Sequence, residues 1–192
     1  MRQVEHWEQG RRLLGGRYRF VRRLGAGGLA DAFEVLDEAA SAVRCLKLLR
    51  RELEPEVHWL RREFDLLRGL HHPSLVEVHD FGRARTGDGE TTPRAFLTTT
   101  LVRGMTLESA LERGTSWSAV KPAFADGLRG LAYLHRVGMR HGDFKEANLM
   151  LESERGRGVL IDLSCADRLT SRASGAGTPR YMAPELQADP KD

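Results

Sequence analysis

The spacing of apolar residues changes along this 192-residue chain, and the change limits the folds open to it. Up to about residue 102, short strand-like runs prevail. "AVRCLKLL" (42–49) alternates, with Val43, Cys45 and Lys47 on one face and Arg44, Leu46 and Leu48 on the other. "YRFVRRLGAGGLADAFEVL" (18–36) places apolar residues on both sides of a glycine-rich turn and reads as strand, tight loop, strand. One helical stretch interrupts, over 55–70, where Leu60, Phe64, Leu67 and Leu70 recur at three and four. "PSLVEVHDFG" and "RAFLTTTLV" read as two further strands, joined by the polar loop "RARTGDGETTP". From Ser118 the spacing becomes helical: Val120, Phe124, Leu128, Leu131 and Leu134 share a stripe, and Gly138 suits its end. "NLML" and "GVLIDL" then flank the turn "ESERGRG" as a hairpin. Strands followed by helices predict an α+β architecture of two lobes, divided near residues 100–105.

Other properties narrow the class. A chain of this length buries roughly 70% of its unfolded surface, enough for a real core. The net charge of +3 arises from basic residues scattered among acids, with no basic run and no interleaved aromatics, which argues against a nucleic-acid surface. Cys45 and Cys165 are too few for a disulfide framework and too far apart in sequence for a metal cluster, so a reducing, cytoplasmic setting is expected. No apolar stretch approaches the roughly 20 residues of a membrane span, and "MRQVEHWEQGRRLLGG" has no apolar signal core.

The polar residues carry the chemistry. "LGAGGLADAF" contains residues without a Cβ, which turn tightly and can present N–H groups to phosphate oxygens. Lys47 shares a strand face with two apolar neighbours and therefore needs an acidic partner or an anionic ligand. Glu63 follows sixteen residues later on the predicted helix. Loop, lysine and glutamate in that order make a nucleotide clamp. "HGDFKEANLM" (141–150) adds a carboxylate at Asp143, an ammonium at Lys145 and a carboxamide at Asn148.

Together these segments resemble the eukaryotic-like (Hanks-type) serine/threonine protein kinase family over residues 17–192. "LGAGGLADAF" is similar to its glycine-rich loop, "CLK" to its strand lysine motif, and Glu63 to that lysine's helical partner. "HGDFKEANLM" is similar to its catalytic loop, "IDLS" to its metal-binding element and "GTPRYMAPE" to the close of its activation segment. The resemblance implies residues 1–16 as an N-terminal extension, an N-lobe over 17–102 with one helix, and an incomplete, mainly helical C-lobe over 103–192. It implies ATP and Mg²⁺ as cofactors and a protein substrate with a Ser/Thr acceptor. Asp143 would orient the attacking hydroxyl and accept its proton, Lys145 would set positive charge by the transferring phosphate, and Asn148 and Asp162 would hold the metal. Thr178 would hydrogen-bond to Asp143 and Lys145. Gly25, Gly27 and Gly28 with Lys47 and Glu63 would serve the phosphates. Ala32 and Cys45, with Leu24 as roof and Met150 as floor, would form the adenine pocket, with Thr99 at the gatekeeper position and Thr100, Leu101 and Val102 at the hinge.

The chain also departs from the family pattern. Ala30 stands in place of the loop's third glycine and should stiffen it. Gly142 occupies the position of an arginine that usually pairs with a phosphorylated activation segment, so such a switch lacks its partner even if Thr170, Ser171 or Ser174 is modified. "DLS" keeps the metal ligand; Leu163 is expected to pack with Leu67, His141 and Val78, while Ser164 is expected to cost backbone freedom. Family domains continue for roughly another hundred residues, so the pattern reads as a C-terminally truncated domain, with "PKD" resembling the start of an anchoring helix. Apolar surface on 120–135 would then need a partner or a missing C-terminal region to cover it. Two alternatives stand beside the kinase: a pseudokinase or nucleotide-binding regulatory module, and a small-molecule phosphotransferase of the aminoglycoside or choline kinase type.

Overall fold

The computed structural model describes residues 12, 13, 16–85, 92–170 and 177–184, and its chain contacts divide it into two units. The first comprises residues up to 68 together with 77–101, the second 69–76 together with 102 onward.

In the first unit six strands form one sheet. They are β1 (Arg12–Leu13), β2 (Tyr18–Ala26), β3 (Ala30–Asp37), β4 (Ala42–Leu49), β5 (Val78–Ala84) and β6 (Arg94–Thr100), in the order β1-β2-β3-β4-β6-β5 and antiparallel throughout. Strand alternation sets the core: Tyr18, Phe20, Phe33, Val35, Leu46, Leu48, Ala84 and Phe96 cluster on one face. Aromatic edges meet within it, Phe20 on Phe33 at 4.9 Å and Tyr18 on Phe96 at 5.4 Å between ring centroids. The short β1 lies within the stretch read from sequence as an extension. A 3-10 turn (Arg51–Glu56) leads into helix α1 (Val57–Leu67). That helix is shorter than the expected 55–70, and its buried stripe is Leu60, Glu63 and Leu67; Phe64 is half-buried, and Leu70 lies beyond the helix end.

The second unit contains β7 (Gly104–Thr106), α2 (Leu107–Glu112), α3 (Trp117–Arg136), β8 (Met139–Arg140), β9 (Leu149–Glu152), β10 (Gly158–Leu160) and β11 (Asp167–Arg168). β9 and β10 form the expected hairpin, extended by β7 on the other side of β9, while β8 pairs with β11. α2 went unforeseen, although Thr106 caps it by accepting the Ser109 backbone N–H at 3.1 Å, a hydroxyl-before-helix signal present in the sequence. The expected strand from residue 73 begins only at Val78. The Val76 N–H bonds to the Leu160 carbonyl, and the Leu160 N–H to that of Ser74, which draws "PSLV" into this unit.

The buried face of α3 corrects the expected stripe. Val120, Ala123, Gly127, Gly130 and Leu134 are inside, whereas Leu128 is 46% exposed. The small residues explain the rotation: the helix approaches the hairpin so closely that a methyl on Gly158 would overlap the Ala123 carbonyl, and one on Gly127 would press on Leu149 at 3.0 Å. Backbone proximity, which apolar counting overlooks, decides the face. Among the described residues, no helix is long and apolar enough to cross a membrane.

Candidate active site

In the first unit, register places the clamp residues. Cross-strand partners share a face, so Ala32 opposite Lys47, Lys47 opposite Leu97, and Cys45 opposite both Glu34 and Thr99 all stand on the face opposite the aromatic core. Lys47 donates to Glu63 Oε1 at 2.8 Å. The side chains are 19% and 3% exposed, so the helix carboxylate is taken from water with its charge compensated. Glu34, which sequence reading missed, is also buried on this face and accepts from Arg22 at 2.8 Å. Thr99 is buried and Thr100 half-buried at the end of β6; Leu101 closes this unit in sequence, and Val102 belongs to the second. Leu24 is exposed near the end of β2.

Only one glycine of the loop is sterically required. The Gly27 N–H bonds to the Ala30 carbonyl at 2.9 Å, and a Cβ on Gly27 would stand 2.9 Å from that same oxygen. Added methyls on Gly25 or Gly28 meet nothing within 4 Å. At those two positions the absence of a side chain leaves backbone open to a close neighbour rather than relieving a clash.

In the second unit, polar bonds hold the catalytic-loop residues. Asp143 Oδ1 accepts the Thr178 backbone N–H at 2.8 Å, and its Oδ2 lies 2.7 Å from Lys145 Nζ. Lys145 also donates to Thr178 Oγ1 at 2.6 Å, closing a triangle among residues far apart in sequence. Asn148, buried in the 3-10 turn Glu146–Asn148, donates from Nδ2 to the Asp143 carbonyl at 2.8 Å and to Oδ2 at 3.1 Å. The amide nitrogen is thereby committed, and the amide oxygen is the group with donor capacity for a cation.

Burial pushes the Asp143 carboxyl up, but hydrogen bonds from Lys145 and Thr178 outweigh it and hold the group below its usual range. His141 is held low chiefly by burial; Nδ1 accepts the Asp143 N–H at 3.3 Å, so the ring is a neutral brace under the loop. Asp162 adopts a left-handed backbone, φ 56°, which aspartate tolerates better than most residues. Ser164 has no positive φ, so the expected cost of losing glycine there does not arise. Leu163, Leu67 and His141 are each buried, Val78 likewise. Met150 is half-buried on β9. Ser171, Ser174 and the "PKD" segment lie outside the described residues.

Asn148 and Asp162 suit magnesium by chemistry, since both offer hard oxygen donors, and Mg²⁺ is commonly held by one or two such side chains with phosphates and water completing its shell. No cluster of three or more His, Cys, Asp or Glu residues among the described ones forms an all-protein cage.

An antiparallel sheet with one packed helix, and a mainly helical second unit whose hairpin follows a polar loop, are the architecture of the protein-kinase-like α+β fold. A family model for the protein kinase domain matches residues 18–191, and the chain belongs to that family. Protein kinases in general use ATP and Mg²⁺ and act on protein substrates. The chain is 29% identical to the probable serine/threonine-protein kinase pknA2 of Bifidobacterium longum, over 91% of this chain and 24% of that protein. It is 30% identical to the serine/threonine-protein kinase PknA of Mycobacterium tuberculosis, over 90% of this chain and 42% of that protein. It is 32% identical to the serine/threonine-protein kinase PksC of Streptomyces coelicolor, over 92% of this chain and 34% of that protein. The chain thus spans less than half the length of these relatives.

Proposed function

We propose that this chain is the kinase domain of a serine/threonine protein kinase, transferring the γ-phosphate of ATP to a Ser or Thr hydroxyl of a protein. The triangle of Asp143, Lys145 and Thr178 carries the reading, because it positions a carboxylate and a cation together beside a threonine of the segment that would receive the polypeptide. The acceptor oxygen bonds to phosphorus as the bond from phosphorus to the bridging oxygen of ADP breaks. Its proton passes to Asp143. A carboxylate engaged by three donors is a weak base, which suits a loose transition state in which the proton leaves late, so its first task is to aim the hydroxyl. Lys145 keeps positive charge beside the phosphoryl group. Lys47, oriented by Glu63, binds phosphate oxygens together with the glycine-rich loop, where Gly25 and Gly28 leave the backbone open to a close neighbour and Gly27, its N–H bonded to the Ala30 carbonyl, holds the turn. Asn148 and Asp162 would hold Mg²⁺, which would supply neutralisation of phosphate charge.

Ala32, Cys45 and Thr99 on the sheet face, with Leu24, Thr100, Leu101, Val102 and Met150, are assigned to the adenine. The exposed Trp117 and Leu128 on α3 are assigned to contact with a further segment or partner, and Cys45 and Cys165, neither in a disulfide, fit a reducing cytoplasm.

The test is transfer of radiolabel from ATP to matched peptides bearing Ser, Thr or Tyr, with Lys47→Met and Asp162→Asn as controls. Label on Ser and Thr peptides, absent with Tyr and lost in both variants, is the expected outcome. Magnesium-dependent nucleotide binding without transfer would replace the enzyme with a binding module.

A further inference from the structure

Two short strands flank the catalytic residues in sequence. β8 ends one residue before His141 and three before Asp143, and β11 begins five residues after Asp162. They pair antiparallel with Arg140 directly opposite Asp167. The Leu169 N–H bonds to the Gly138 carbonyl at 2.8 Å and continues the ladder. Arg140 Nη2 lies 3.7 Å from Asp167 Oδ2, with side chains 26% and 8% exposed. Asp167 Oδ1 accepts the Arg168 backbone N–H at 2.7 Å, which fixes the carboxylate toward the pair. A carboxylate this far from water needs compensation, and the facing guanidinium supplies it.

The adjoining glycine brings the two segments close together. Gly142 has φ 82°, and a methyl there would overlap the Cys165 carbonyl. On the other side, a Cβ on Gly177 would stand 2.7 Å from the Gly142 carbonyl. Gly142 is exposed, but its left-handed backbone lies so close to the Cys165 carbonyl that a side chain there would be strained. A charged tie between the segments bearing Asp143 and Asp162 is the cross-strand pair just upstream and downstream of them.

We propose that Arg140 and Asp167 are positioning residues: their ion pair sets the Asp143 loop against the segment carrying Asp162, without requiring an added phosphate. The proposal rests on the kinase reading above, as a statement of how that site is kept in order.

The full chain, freed of phosphate by phosphatase, is compared with Arg140→Gln, Asp167→Asn, the double variant and Arg140→Lys. Phosphatase should leave the wild-type kcat within about twofold. Each neutral variant should lower kcat about tenfold with the KM for peptide nearly unchanged, the double variant should lose no more than either single, and lysine should restore most of the loss. Amide hydrogen exchange over 141–148 and 162–168 should quicken in both neutral variants while β3 and β4 stay protected. Loss of activity on phosphatase treatment, multiplying losses in the double variant, or undisturbed exchange would each overturn the tie. If the wild type transfers no phosphate, the kinase reading fails, and exchange alone still decides the pair: quickened in both segments it stands, unchanged it falls.

Discussion

The two units hold their functional side chains by different physics. In the first, an aromatic and aliphatic core fixes strand register, and register alone puts Lys47, Cys45 and Thr99 on one face; charges line up across strands, as in Arg22 with Glu34 and Arg23 with Asp31. In the second, Asp143, Lys145 and Asn148 stand on irregular backbone and are held by individual hydrogen bonds and by glycine-mediated close approach. Many weak contacts distribute an error over a sheet, whereas a loop held by three or four polar bonds concentrates it. A change at one of these functional side chains should therefore be costly mainly in function in the second unit and also in stability in the first.

The largest expected effect is on Asp143→Asn. It keeps the shape that accepts the Thr178 N–H but removes the charge facing Lys145, and transfer should fall about a thousandfold with little change in melting temperature. A parallel collapse in thermal stability would break the comparison. Lys47→Met should show the reverse emphasis: besides losing activity it removes the 2.8 Å partner of a buried carboxylate, costing about 3 kcal/mol in urea unfolding, and adding Glu63→Leu should recover much of that. Recovery of stability without recovery of activity sharpens the distinction between the pair's two roles.

A smaller effect is expected from backbone approach in the second unit. Gly158→Ala should destabilise by about 1–3 kcal/mol because its methyl meets the Ala123 carbonyl, while Gly28→Ala, open on all sides, should unfold like the wild type. Equal losses would show that crowding is not what seats α3.

The smallest concerns pH in the first unit. Arg44 Nη1 lies 2.8 Å from His79 Nε2, and since arginine only donates, that nitrogen carries a lone pair and the ring is neutral. Burial first, and Arg44 second, hold His79 below its ordinary pKa. The unfolded chain then binds more protons, so stability falls as pH drops from about 6.5 toward the folded value. His79→Gln retains an acceptor oxygen and does not titrate, so its unfolding free energy should vary less between pH 7 and 5. Identical slopes would remove His79 from the account.

Much of this was legible in the sequence for a definite reason. Strand periodicity located Lys47, and its place on a partly apolar face demanded a partner, which Glu63 provides at helical distance. The buried stripe of α3 is hidden from sequence because Phe124, Leu128 and Leu131 outweigh Ala123, Gly127 and Gly130 in any apolar count, although close packing favours the small residues. Ser164 lacks glycine's freedom, yet the left-handed residue is Asp162, two positions earlier. Glu34 and the Arg140–Asp167 pair gave no signal, since a charged residue in a short strand looks the same whether it faces water or a partner.

The order and chemical type of the groups were settled by the chain alone: which carboxylates, amides and ammonium groups exist, and which stand on strands or follow a helix. Tertiary structure decided which of them meet. Thr178 reaches Lys145 across 33 residues, and Gly142 yields its side-chain space to Cys165, because such encounters depend on where backbones approach in space. Local periodicity encodes direction from the backbone but carries no record of the distance to a segment dozens of residues away.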